Sequence, residues 1–144
     1  MPVTDEQVAT LHAQLAGRRE EHRRLLGELD REAAQTGYNA LVTAAFSVAV
    51  VKRFPKDTTP AMVIEFVGDI RSASDNAARQ DARTLERVLL AATSDQDISD
   101  IDPRIRFQAR VVLLAGMIHD LQLDPDGLDR FMREARTLAD KLLA

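Results

Sequence analysis

The chain has no cysteine, no tryptophan and a single tyrosine, Tyr38. The lack of cysteine removes disulfides, thiolate catalysis and cysteine metal sites together. Aromatic residues make up only 4% of the sequence. The core must therefore be aliphatic, with Phe46, Phe54, Phe66, Phe107 and Phe131 as its bulky members. Lysine is scarce as well, with three against sixteen arginines. Arg and Ala codons are GC-rich, which explains this bias more simply than a selected need for bidentate anion recognition. No apolar run approaches the ~20 residues that span a bilayer. No basic stretch followed by an apolar one opens the sequence, so no secretory signal is expected. These absences predict a soluble cytoplasmic protein without a membrane partner. The net charge of -4 disfavours nucleic acid, whose phosphates reward a basic footprint.

What remains is ordinary for a globular protein: 144 residues, 45% hydrophobic and 29% charged. One domain over residues 1–144 is the expectation, large enough to bury a core unaided. Two segments of this domain resemble each other. Thr59-Pro60-Ala61-Met62-Val63 through Arg71 aligns without a gap on Asp124-Pro125-Asp126-Gly127-Leu128 through Arg136. In both, Pro is followed by an aliphatic residue, then Phe, then an acid, then Arg at the same offsets. Each follows one of the two most hydrophobic stretches, residues 40–51 and 111–118.

Period and punctuation predict an all-α bundle of five to six helices. Thr4 and Gln7 have the form of a capping box. After them Val8, Leu11, Leu15, Arg18, His22, Leu25 and Leu29 recur in steps of three and four. That seam predicts one long N-terminal helix over about residues 5–36, closed by a left-handed Gly37. Gly17 and Gly27 each cost about 1 kcal/mol relative to Ala, so either can break it. Helix two is expected over about 39–54 and helix five over 103–121, the two central buried helices. Helix three opens at Thr59 and Pro60 and buries Val63, Phe66, Val67 and Ile70. A break at 72–76 with Asp75 as cap leads to helix four, about 76–93, burying Leu85, Val88, Leu89 and Ala92. Asp102-Pro103 and Asp124-Pro125 open helices five and six, the last with Leu128, Phe131, Ala135, Leu138 and Leu142 on one face. No alternating strand pattern occurs.

Searches for chemistry come back empty. His12, His22 and His119 lack a Glu three residues earlier, so no di-metal bundle pattern exists. The acidic loop Asp95, Asp97, Asp100, Asp102 fails the EF-hand register at the turn and at the final ligand. No phosphate-cradling glycine motif and no nucleophile elbow is present. No catalytic residue, metal or cofactor is therefore expected.

Two charged patterns are candidates for contact. Arg79, Arg83 and Arg87, spaced by four, would form one stripe on helix four; pairing with the acidic loop and with Glu65, Asp69 or Glu134 is preferred over an anion or acidic-partner surface. Arg18 and His22 interrupt the leucine seam ahead of Leu25 and Leu29, a device that sets register and oligomer number in helical assemblies. The leading expectation is a non-enzymatic protein-interaction or scaffolding module, homodimeric through helix one, with an unidentified protein partner. An alternative is a regulator that binds an apolar ligand between helices two and five, where Ala44, Ala45, Ala115 and Gly116 leave room. A DNA-binding regulator using helix four ranks third.

Overall fold

The computed structural model describes residues 2–144. Among these, every regular element is helical and no strand occurs. In order these are α1 (Asp5–Leu15), α2 (Arg19–Glu28), α3 (Arg31–Ala33), a π-helical turn (Ala34–Tyr38) and α4 (Asn39–Arg53). They are followed by α5 (Pro60–Ala73), α6 (Asp75–Ala78), α7 (Ala82–Ser94), α8 (Pro103–Leu121) and α9 (Pro125–Leu143). The expected five to six helices are too few, because two expected helices break.

The long N-terminal helix does not form. Gly17 adopts φ +80°, a left-handed conformation open to glycine at little cost. The chain closes this turn through Gly17 N–H to the Gln14 carbonyl (3.1 Å) and Arg18 N–H to the Ala13 carbonyl (2.9 Å). A second break follows at Leu29, whose ψ of 139° ends α2. Gly37 is not a left-handed cap but lies inside the π-helical turn. A Cβ there would sit 2.6 Å from Oε1 of Gln7, so glycine lets the Gln7 amide approach the backbone. Gln7 is itself buried and closes the capping box with Thr4 in both directions, at 3.0 and 3.2 Å.

The expected helix four also divides. Ser74, not Asp75, caps α6 by accepting from Ala77 N–H. The chain then leaves the helix at Arg79, and Asp81 caps α7 through Thr84 N–H at 2.9 Å. Ala92 is exposed rather than buried, while Leu85, Val88 and Leu89 form the buried stripe. The remaining helices agree closely with the expected bounds. Neither α4 nor α8 is buried all round: Val51 is 79% exposed, and Ile105 and Ala115 also face outward.

The chain forms two compact units, Met1–Val48 with Gln122–Ala144, and Ala49–Leu121. In the first, α9 runs antiparallel to α1. Asp140 Oδ1 accepts from Val3 N–H at 2.8 Å, Arg136 pairs with Asp5 at 2.7 Å, and His12 meets Asp129 at 3.2 Å. In the second, Phe54 meets Phe66 edge-on with ring centroids 5.3 Å apart. The Arg53 guanidinium lies 4.8 Å from the Phe54 centroid and 5.3 Å from that of Phe66, and pairs with Asp120 at 3.0 Å.

The twin segments share four buried register positions, although Gly127 is buried where its counterpart Met62 is exposed. Val63, Phe66, Val67 and Ile70 of α5 correspond to Leu128, Phe131, Met132 and Ala135 of α9. Their caps match too: Thr59 accepts from Met62 N–H and Asp124 from Gly127 N–H. Each large buried side chain contributes about 1.5–3 kcal/mol. Leu138 and Leu142, on the same α9 face, are half-buried and exposed.

Candidate functional site

The break at Gly17 folds α2 back onto α1 and makes a helical hairpin. His22 fastens it, donating from Nδ1 to the Thr10 carbonyl at 2.8 Å. That carbonyl is the only acceptor in the pair, so the ring proton must be on Nδ1. Arg18 sits at the turn, exposed, with Glu21 at 3.6 Å. Leu25 and Leu29 are half-buried and Leu26 is 47% exposed. No residue of α2 is buried. The expected seam is thus not one continuous stripe: Leu11 and Leu15 lie on α1, and His22 and Leu25 on α2.

Arg79, Arg83 and Arg87 do not share a helix. Arg79 ends α6 and reaches Asn76 at 3.4 Å, whereas Arg83 and Arg87 belong to α7. Arg87 is committed to the acidic loop: its two Nη atoms reach the Asp100 carboxylate at 2.9 and 2.7 Å, and Nη2 also reaches the Asp97 carbonyl at 3.3 Å. This bidentate hydrogen bond lowers the Asp100 pKa and raises that of Arg87. Asp97 is lowered chiefly by the backbone N–H of Ser99, and Asp81 by that of Thr84. The acidic loop is therefore turned on itself and on Arg87. No cluster of three or more His, Cys, Asp or Glu side chains able to hold a metal is found among the described residues.

Two open grooves flank α9 within the first unit. One, of about 540 Å³, is lined by Val48, Arg130, Arg133, Thr137, Leu138 and Lys141 among others. The other, of about 430 Å³, includes Val8, His12, Asp129, Met132 and Arg136. In the second groove the His12 Nε2 lies 3.2 Å from Asp129 Oδ1. Around the small residues of α4 and α8 the packing is close. Ala44 and Ala45 are fully buried, and a Cβ on Gly116 would meet Ile70 Cγ2 at 2.6 Å and Phe66 Cζ at 3.3 Å. Glycine at 116 admits α5 against α8.

Sequence reasoning missed Leu26, Arg53 and the close approach of Gln7 to Gly37. Leu26 lies off the expected seam, and its meaning appears only once α2 is separate. The Gln7 and Arg53 contacts join residues far apart in sequence. No helix among the described residues is long and apolar enough to cross a membrane. Compared with protein families, curated proteins and solved structures, the chain matches none.

Proposed function

We propose that this protein is a non-enzymatic helical interaction module that pairs with a second copy of itself through the α1–α2 hairpin. The observation that carries this reading is α2, a ten-residue helix with no buried residue. Isolated helices this short are marginal in water, so α2 needs packing on its outer side as well as on α1. Leu26, exposed between half-buried Leu25 and Leu29, supplies the apolar contact.

Charge complementarity favours a second copy as the occupant, although Glu28 already meets Arg24 of its own helix at 3.3 Å. The first part of the hairpin's second arm carries Arg18, Arg19, Arg23 and Arg24 against Glu20 and Glu21. Its end carries Glu28 and Asp30, and no basic residue lies in the last turn of α2. Acids at a helix C-terminus oppose the helix dipole, so this placement weakens the isolated helix. An antiparallel two-fold pairing centred on Leu25 and Leu26 sets the arginine-rich half of each copy against Glu28 and Asp30 of the other. A two-fold contact of this kind is self-complementary and closed.

Light scattering at tens of micromolar protein tests the pairing: a dimeric mass is expected. Leu26→Glu, at an exposed position, is expected to keep the helical content and convert the protein to monomer. Leu26 is 47% exposed, so two copies losing about half of the ~1.5–3 kcal/mol of a fully buried leucine correspond to roughly ten- to a hundredfold weaker association. A monomeric mass for the unaltered protein would overturn the proposal.

A further inference from the structure

Arg106 and Arg110 occupy an unusual place on α8. The row of every fourth residue along this helix runs Arg106, Arg110, Leu114, Ile118, and its last two members are core residues. Two arginines therefore stand where the row continues toward the α8 N-terminus, and both are half-buried. Neither forms an ion pair or a side-chain hydrogen bond among the described residues. The Nε of Arg106 is fully buried with no hydrogen-bond partner. The neighbouring acidic loop does not relieve them. Asp100 is taken by Arg87, Asp97 by Ser99, and Asp102 by the backbone N–H of Arg104 at 2.8 Å.

Two like charges one helical turn apart repel, and burial adds a desolvation penalty. The Arg110 guanidinium is accordingly held below its ordinary pKa, by burial first and by the Arg106 charge second. A half-buried pair of like charges without an acidic partner is stabilised when an anion bridges it. Guanidinium groups match planar or tetrahedral oxyanions through paired N–H donors. A carboxylate would cancel one of the two charges, whereas a phosphate group carries about -1.5 to -2 near neutral pH and cancels both.

We propose that Arg106 and Arg110 form a binding site for a phosphate group, borne by inorganic phosphate or by a small phosphate monoester. The site is independent of self-association through α2, and its ligand would stabilise the second unit. Binding to the folded state alone raises thermal stability by mass action.

The test follows the melting temperature of the full chain at constant ionic strength in chloride, acetate, inorganic phosphate and glycerol phosphate. A saturable rise of about 5–10 °C is expected when either phosphate compound is present at about a hundred times its Kd. Acetate should give little. The higher affinity of the two identifies the free ion or the ester as the better ligand, and both orders support the site. Phosphate also stabilises proteins generally by exclusion from their surface, so the variants decide. Arg110→Leu extends the apolar row and should melt higher than the unaltered protein in chloride, with the phosphate increment lost. Arg106→Gln should lose the increment too, and Arg83→Gln, which removes an exposed cation elsewhere, should retain it. An equal phosphate increment in Arg110→Leu or Arg106→Gln would overturn the assignment, as would equal melting temperatures in phosphate and chloride.

Discussion

At Gly17 a backbone angle of φ +80° coincides with empty space, since nothing lies within 4 Å of a Cβ built there. Strain is then the whole effect of adding a side chain. Gly17→Ala should lower stability by about 1–2 kcal/mol, read as a reduced urea midpoint with an unchanged slope. Asp100 supplies a second single-residue test. Its carboxyl pKa is lowered by Arg87, so the folded value lies below the unfolded one. The stabilisation is complete above the unfolded value near 4 and disappears as pH falls through the lower folded value. Stability near pH 7 should therefore be flat with respect to this group. In Arg87→Gln, the Asp100 titration followed by carboxyl NMR should move up toward ~3.9; an unmoved titration would show that Arg87 is not the cause.

Among the elements, those specified by local chemistry were readable from sequence. Thr4 with Gln7, Thr59 with Pro60, and Asp124 with Pro125 set helix starts within four residues of chain, and the buried stripe of α5 follows from period alone. The split of the N-terminal helix was hidden for a physical reason. Apolar residues at the same three-and-four spacing suit a hairpin's two arms as well as one continuous helix, so periodicity does not distinguish the two. The decision lies in two backbone angles, φ at Gly17 and ψ at Leu29. Likewise the arginine stripe dissolved because Asp81 offers a better cap than Arg79 offers a continuation. Contacts of long sequence separation left no local mark. Arg53 at the end of α4, with Phe66 on α5 and Asp120 on α8, is such a case. Removing it in Arg53→Ala deletes two ring contacts and an ion pair, expected to destabilise by about 1–2 kcal/mol in denaturant titration. Asp120→Asn should cost less, because the ring contacts survive.

For the whole molecule, self-pairing through α2 predicts a particular response to charge. Arg23→Glu should weaken the dimer, Glu28→Arg should do likewise, and the double exchange should restore it, read by sedimentation across a protein dilution series. Each exposed pair contributes about 0.2–1 kcal/mol and occurs twice by symmetry. Dissociation constants should also rise with salt, since charges at a rim are screened over about 8–10 Å. If the double exchange leaves the dimer as weak as the single variants, the antiparallel arrangement is wrong even where the dimer itself stands.

The bond from Val3 N–H to Asp140 joins residues 137 apart, and α1 reaches its partner helix only at the far end of the chain. During synthesis at about 5–20 residues per second, α1 emerges on the order of ten seconds before α9 exists. The segment 49–121 can meanwhile assemble from helices already made. The nascent protein therefore carries a completed segment 49–121 while Val3, Asp5 and His12 still lack their partners on α9. Chaperone capture and premature association on the ribosome should concentrate on α1, in a window that closes once α9 has been translated.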